Sequence, residues 1–266
     1  MFILLFFNLT IAFIVMTQNQ LDDPKCSSYK LEYFDTENLK TIVTFNDTAY
    51  LSSCVIAPDL NVYFSTFNTT NGHSAFYNFS RNISHKISTQ MEKLVLDNHN
   101  HVYGYDVIPS HYILKQYVNK SIITKFIFDK YFRVFSLFYV KELSIFVINI
   151  SSGFITMANW KILQIYKFNY FIYFVCYHDG LLYMIIEDSK LISFDLQSGL
   201  SKVLLTYEEF LYYHSASIVI HNTLYSIYRE RDNNGISYLV RTNLTSLDYN
   251  ITKLSFPDTI VCIISN

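Results

Sequence analysis

One short pattern recurs along this chain at intervals of about forty residues: an apolar strand, a polar turn, then a second strand centred on an aromatic residue. It reads Cys54-Val-Ile-Ala-Pro-Asp-Leu-Asn-Val-Tyr63, Leu94-Val-Leu-Asp-Asn-His-Asn-His-Val-Tyr103 and Leu137-Phe-Tyr-Val-Lys-Glu-Leu-Ser-Ile-Phe146. It returns in Val175-Cys-Tyr-His-Asp-Gly-Leu-Leu-Tyr183 and Ile218-Val-Ile-His-Asn-Thr-Leu-Tyr225. The aromatic anchors Tyr63, Tyr103, Phe146, Tyr183 and Tyr225 stand 40, 43, 37 and 42 residues apart. That is the period of a four-stranded β-propeller blade.

The chain ends extend the pattern. Each anchor is followed by another alternating strand and a polar connection, most clearly in Lys190-Leu-Ile-Ser-Phe-Asp-Leu-Gln-Ser-Gly199 and Lys202-Val-Leu-Leu. Tyr29-Lys-Leu-Glu-Tyr-Phe-Asp-Thr-Glu-Asn38 matches it ahead of the first anchor. Ile260-Val-Cys-Ile-Ile264 reads as an inner strand with nothing after it. The expectation is therefore an all-β chain forming a six-bladed β-propeller, with one blade shared by the chain ends and short of one strand. Five blades with irregular ends is the nearest alternative. A sandwich or a β-helix fits the even spacing less well.

Composition agrees with strands. The chain has 23 Tyr and 23 Phe against only 6 Gly and 4 Pro, and aromatics suit a pleated, half-buried surface. Charged residues are 16% of the chain, too few for a disordered polymer. The 20 Lys+Arg against 22 Asp+Glu leave no basic excess for a nucleic-acid partner.

The N-terminus reads as an export signal. Phe2 to Met16 is apolar except for Asn8 and Thr10, and a polar segment follows at once. Residues 1–17 are assigned to a signal peptide, and residues 18–266 to a single propeller domain. After residue 17 come eight N-x-S/T sequons, at Asn46, Asn68, Asn78, Asn82, Asn119, Asn149, Asn243 and Asn250. Chance placement gives about three. The chain is expected to be secreted, extracellular and glycosylated. No later segment reads as a membrane span, because His178-Asp179-Gly180 divides the most apolar stretch, Phe168 to Ile186, into two strands around a turn.

An exported chain uses cysteines in disulfides. Of Cys26, Cys54, Cys176 and Cys262, the pair Cys26–Cys262 would lock the shared blade, with Cys26–Cys54 as competitor. His99, His101, His178 and His221 fall in turns of separate repeats and read as polar turn residues rather than metal ligands. Apart from Lys93, the predicted inner strands carry no charge, which leaves neither a metal cage nor an acid/base pair. No nucleophile elbow, P-loop or dinucleotide motif is present, so neither an enzyme nor a cofactor is expected.

The connections leading into most inner strands do carry aromatics: Tyr50, Tyr131-Phe132, Tyr170-Phe171, Tyr212-Tyr213 and Phe256. Gathered at the mouth of a central channel, Tyr50, Tyr131, Tyr170 and Tyr213 would offer ring faces, with His214 among them. Arg133 would pair with a ligand carboxylate. Packing between blades is the competing use of the same rings. The leading expectation is a secreted, non-enzymatic carrier of a small aromatic ligand. The alternative is a secreted module binding a protein partner or a glycan.

The chain also resembles the insect ommochrome-binding proteins, which are secreted pigment carriers. The resemblance rests on Cys26 close behind the export signal, Asp59-Leu-Asn-Val-Tyr-Phe-Ser65, Asp97-Asn-His-Asn-His-Val-Tyr-Gly104 and Asp179-Gly-Leu-Leu-Tyr183. It implies an ommochrome pigment as ligand and carries over no individual contact residue. The chain departs from the family in its few glycines and many sequons.

Overall fold

The computed structural model describes residues 13–20, 27–34, 39–47, 50–57, 61–68, 73–80, 83–87, 91–108, 111–129, 133–150, 153–186, 189–207, 213–229, 237–254 and 259–265, with side chains mainly between residues 53 and 254. These residues form twenty-four strands in six four-stranded antiparallel sheets. Sheet I takes β1 (Phe13–Gln20), β2 (Ser27–Phe34) and β3 (Leu39–Asp47), while β24 (Thr259–Ser265) pairs with the free side of β1. Sheet II holds β4 (Tyr50–Ile56), β5 (Val62–Asn68), β6 (His73–Ser80) and β7 (Ile83–Ile87). Sheet III holds β8 (Glu92–Leu96), β9 (Val102–Ile108), β10 (His111–Val118) and β11 (Ser121–Asp129). Sheet IV holds β12 (Val134–Val140), β13 (Ile145–Ile150), β14 (Gly153–Ala158) and β15 (Lys161–Lys167). Sheet V holds β16 (Ile172–His178), β17 (Leu181–Ile186), β18 (Lys190–Asp195) and β19 (Ser201–Thr206). Sheet VI holds β20 (Tyr213–Ile220), β21 (Thr223–Arg229), β22 (Ser237–Asn243) and β23 (Tyr249–Lys253).

The inner strands close on themselves. β24 touches β4, which touches β8; the series continues through β12, β16 and β20 and returns to β24. The sheets thus form a propeller-like ring. All five aromatic anchors sit on second strands, as the repeat requires.

The second strands β13 and β17 are apolar along nearly their whole length because they are buried on both faces. In β13, Phe146, Ile148 and Ile150 pack toward sheet III, while Ile145 and Val147 pack toward sheet V. In β17, Leu182, Met184 and Ile186 face sheet IV, and Tyr183 and Ile185 face sheet VI. This is the period-2 alternation of a strand read from both sides. Each fully buried Phe or Leu contributes roughly 1.5–3 kcal/mol relative to exposure, so these inter-sheet cores hold the ring together. Outer strands are exposed instead, as in β15 and β19.

Two-residue turns join many of the hairpins. Asn119-Lys120, Asn159-Trp160, Asp179-Gly180 and His221-Asn222 all have positive φ at both central positions. That is the type I′ geometry matching the twist of the flanking strands. The turn at Asp179-Gly180 divides Phe168 to Ile186 as the sequence implies. No helix among the described residues is long and apolar enough to cross a membrane.

Sheet I differs from expectation. It has its full four strands because β1 supplies the second one, and β1 begins at Phe13, inside the segment assigned to the export signal. Phe13 to Met16 pairs with Phe34 to Leu31 on one side and Ser265 to Cys262 on the other. A boundary at residue 17 falls inside this strand.

Candidate functional site

The connections entering β12 and β16 bring one residue of the expected site, Arg133, beside two rings not assigned to it, Phe135 and Phe171. Arg133 lies just before β12 and is exposed, with its guanidinium carbon 5.2 Å from the centre of the Phe135 ring. Phe135 meets Phe171 edge-on, at 6.2 Å between ring centres and 87° between planes. Phe171 is 49% exposed, so an aromatic face and a cation are presented side by side. Such a pairing holds a planar ring by stacking and a carboxylate by charge-assisted hydrogen bonds.

Tyr170 is not part of this site. Its ring stacks on Phe168 at 5.2 Å, and Phe168 stacks in turn on Phe154 in the core between sheets IV and V. Burial raises the Tyr170 hydroxyl above its ordinary pKa, with a hydrogen bond to Ser201 opposing the shift. Tyr170 packs on Phe168 while Phe171 is left exposed, so Phe171 takes the place that the sequence assigned to Tyr170. Tyr50 opens β4, and Tyr213 and His214 open β20, but their side chains lie outside the described set; Tyr131 lies outside the described residues altogether.

Sequence reasoning missed one charge. β8 starts at Glu92, so an inner strand carries adjacent acidic and basic residues, Glu92 and Lys93. Lys93 has φ 50° within a register shift between Glu92 and Val95. Burial pushes the Lys93 amine below its ordinary pKa, and the Glu92 charge opposes that. Tyr105, whose hydroxyl donates to the Val134 carbonyl at 3.0 Å, feels Glu92 and Arg133 together. The signal is present in Met91-Glu92-Lys93, but apolar patterning alone starts the strand one residue late.

Hydrogen bonds tie His101 and His178 into their turns. Asp97 is 6% exposed, and its carboxylate accepts from the backbone N–H groups of His99 and His101 at 2.8 and 2.9 Å. Its other oxygen meets His101 Nδ1 at 3.0 Å and the Tyr103 hydroxyl at 3.2 Å. Asn98 donates to the Lys141 carbonyl of the next sheet, and His178 meets Asn222 of the next at 2.6 Å. Among the described residues no group of three or more His, Cys, Asp or Glu side chains is placed to hold a metal ion.

The cysteines depart from the leading pairing, Cys26–Cys262, and leave its competitor, Cys26–Cys54, open. Cys176 is a free, buried thiol, and Cys54 is disulfide-bonded. Its partner must be Cys26 or Cys262, and either choice removes the Cys26–Cys262 bridge.

The sequons also separate. Asn119, Asn243 and Asn250 are exposed, while Asn149 is 2% exposed and donates its amide to the Ile172 carbonyl at 2.7 Å. A glycan at Asn149 has no room in this fold. The Asn78 amide oxygen is buried as well. Asn46 and Asn68 lie on β3 and β5 with undescribed side chains, and Asn82 lies outside the described residues.

No family model matches the chain, and no curated protein matches its sequence. Among solved structures it is similar to a Bacteroides fragilis protein described as a candidate 6-phosphogluconolactonase. The TM-score is 0.58 at 10% sequence identity, covering 93% of this chain and 82% of the other. At that identity the likeness concerns the fold alone.

Proposed function

We propose that this chain is a six-bladed propeller exported as a non-catalytic carrier of a small, planar, anionic aromatic ligand, with an ommochrome-type pigment as the leading candidate. Six sheets whose inner strands touch in a closed cycle support the blade count. The exposed Arg133–Phe135–Phe171 cluster carries the ligand reading. Stacking pairs contribute about 0.5–1.5 kcal/mol each beyond burial, so two rings and one arginine suffice for micromolar binding only when the ligand is also desolvated by its surroundings. Export rests on the apolar N-terminus and the sequon excess, of which Asn119, Asn243 and Asn250 are exposed.

The test is an absorbance titration of the purified chain with xanthommatin. A saturable spectral shift is expected, and Arg133→Ala should weaken it far more than it weakens binding of a neutral analogue. Equal loss for both ligands would leave Arg133 only a packing role and remove the residue-level basis of the carrier reading.

A second reading is favoured by one observation. Glu92 and Lys93 put an acidic and a basic residue on an inner strand, the Lys93 amine lowered in basicity by burial, which supplies groups of the kind acid/base chemistry needs. The solved neighbour is itself described as a candidate lactonase. Hydrolysis of sugar lactones, lost in Lys93→Met, would establish catalysis in place of carriage.

A further inference from the structure

A cavity lies at the far end of β12 from Arg133. The β12–β13 turn, the outer strand β15, the β16–β17 turn and the β18–β19 turn enclose a groove of about 390 Å³ between sheets IV and V. Its walls are Tyr166 and Tyr177, with Leu143, Leu163 and Leu196 around them and Gln197 at the rim. Leu143 and Leu163 are 44% and 60% exposed, so apolar surface stands open to solvent here. Tyr166 is fixed in place, its hydroxyl donating to the Leu196 carbonyl at 3.0 Å.

Charges of both signs flank this groove: Lys141 stands beside Glu142 in the β12–β13 turn and Lys167 beside Tyr166 on β15, but the charges that act on its tyrosines are carboxylates. Glu142 adjoins Leu143 in one turn, and Asp195 adjoins Leu196 in another. The Asp195 carboxylate is held by the Gln197 N–H and the Ser198 hydroxyl, both at 2.8 Å. No charged residue of either sign is among the lining residues themselves. Burial raises the Tyr177 hydroxyl pKa first, and the charges of Glu142 and Asp195 raise it further; Tyr166 responds to burial and to Asp195. Both carboxylates therefore act on the aromatic walls.

We infer that this groove binds a small organic cation with an apolar body, of the arylalkylammonium class, its ring against Tyr166, Tyr177 and Leu163 and its ammonium group toward Glu142 and Asp195. The volume suits a ligand of that size. The tyrosine faces receive the ligand's ring, and the flanking carboxylates select the sign of its charge. This reading is independent of the Arg133 site proposed above, which would take a ligand of the opposite charge.

The experiment is a calorimetric or ligand-observed NMR titration of the full chain with 2-phenylethylammonium, 2-phenylethanol and phenylacetate. The cation should bind roughly three- to ten-fold tighter than the neutral alcohol, with the preference shrinking at high salt. Glu142→Gln, in an exposed turn, should reduce that preference by a factor of about three. Leu163→Lys, at an exposed position the fold tolerates, should abolish binding of the cation while the melting temperature holds. An alcohol that binds as tightly as the cation, or full binding by Leu163→Lys, would overturn the proposal.

Discussion

Asp97 shows how a turn residue couples packing to acid stability. Desolvation pushes its carboxyl pKa upward, but hydrogen bonds from His101 and His99 and the nearby imidazole outweigh that and hold it below the ordinary value. A folded pKa below the unfolded one contributes stability that is present above about pH 4 and lost as pH falls through the folded pKa. Asp97→Asn should therefore be less stable than the parent at neutral pH, and the gap should close in acid melts below about pH 4. A gap that persists unchanged to pH 2 would show that the charge plays no part. At this scale the sequence was legible where chemistry is local, as in Asp97-Asn-His-Asn-His-Val-Tyr-Gly104. It was illegible where the answer depended on which of two adjacent aromatics faces outward. Tyr170 and Phe171 are equivalent by composition, and only packing on Phe168 and Phe154 separates them.

Among the strands, the β14–β15 ladder depends on one backbone position. Gly153 has φ +139°, and a Cβ there would stand 1.9 Å from the Tyr166 carbonyl oxygen across the pair. Gly153→Ala should cost roughly 2–4 kcal/mol in urea melts, whereas Gly199→Ala, whose added methyl would meet nothing within 4 Å, should suffer only the strain of its φ. Comparable losses at both positions would remove the steric explanation. β1 makes the complementary point about boundaries. Its Phe13-Ile-Val-Met is apolar enough to read as an export core, yet it fills the slot between β24 and β2. Cleavage after Thr17 would leave only Gln18 to Gln20 of the strand. A chain starting at residue 13 should accordingly melt higher than one starting at residue 18. Equal melting temperatures would mean that β1 adds nothing to the mature ring. Continuous apolar character identifies burial but not what does the burying, so the repeat found the anchors on β5, β9, β13, β17 and β21 while the strand nearest the N-terminus escaped it.

Closure of the whole ring was legible because it rests on complementarity between the chain ends, and β24 does join β1, β2 and β3 in one sheet. The covalent lock was harder to read, since three cysteines compete for one bond and the spacing of Cys26, Cys54 and Cys262 does not decide between them. With Cys54 bonded and Cys176 free, the bond runs from the inner strand of sheet II to one of two cysteines in or beside sheet I. Cys262 lies mid-strand on β24, and β24 is the inner strand that touches β4, where Cys54 also lies mid-strand. The pairing expected on this geometry is Cys54–Cys262, which joins the last strand of the chain to the sheet that follows the closing one. A bond enclosing Cys54 to Cys262 restricts the unfolded state more than one enclosing Cys26 to Cys54, by about 5 against about 3.5 kcal/mol in the loop-entropy account. Reduction should lower the melting temperature, Cys54→Ala should lower it as much, and the reduced Cys54→Ala chain should lose nothing further. A peptide map without reductant identifies the partner directly. A Cys26–Cys54 peptide would place the lock at the start of the ring, and a melting temperature indifferent to reductant would mean that inter-sheet packing alone holds the ends together.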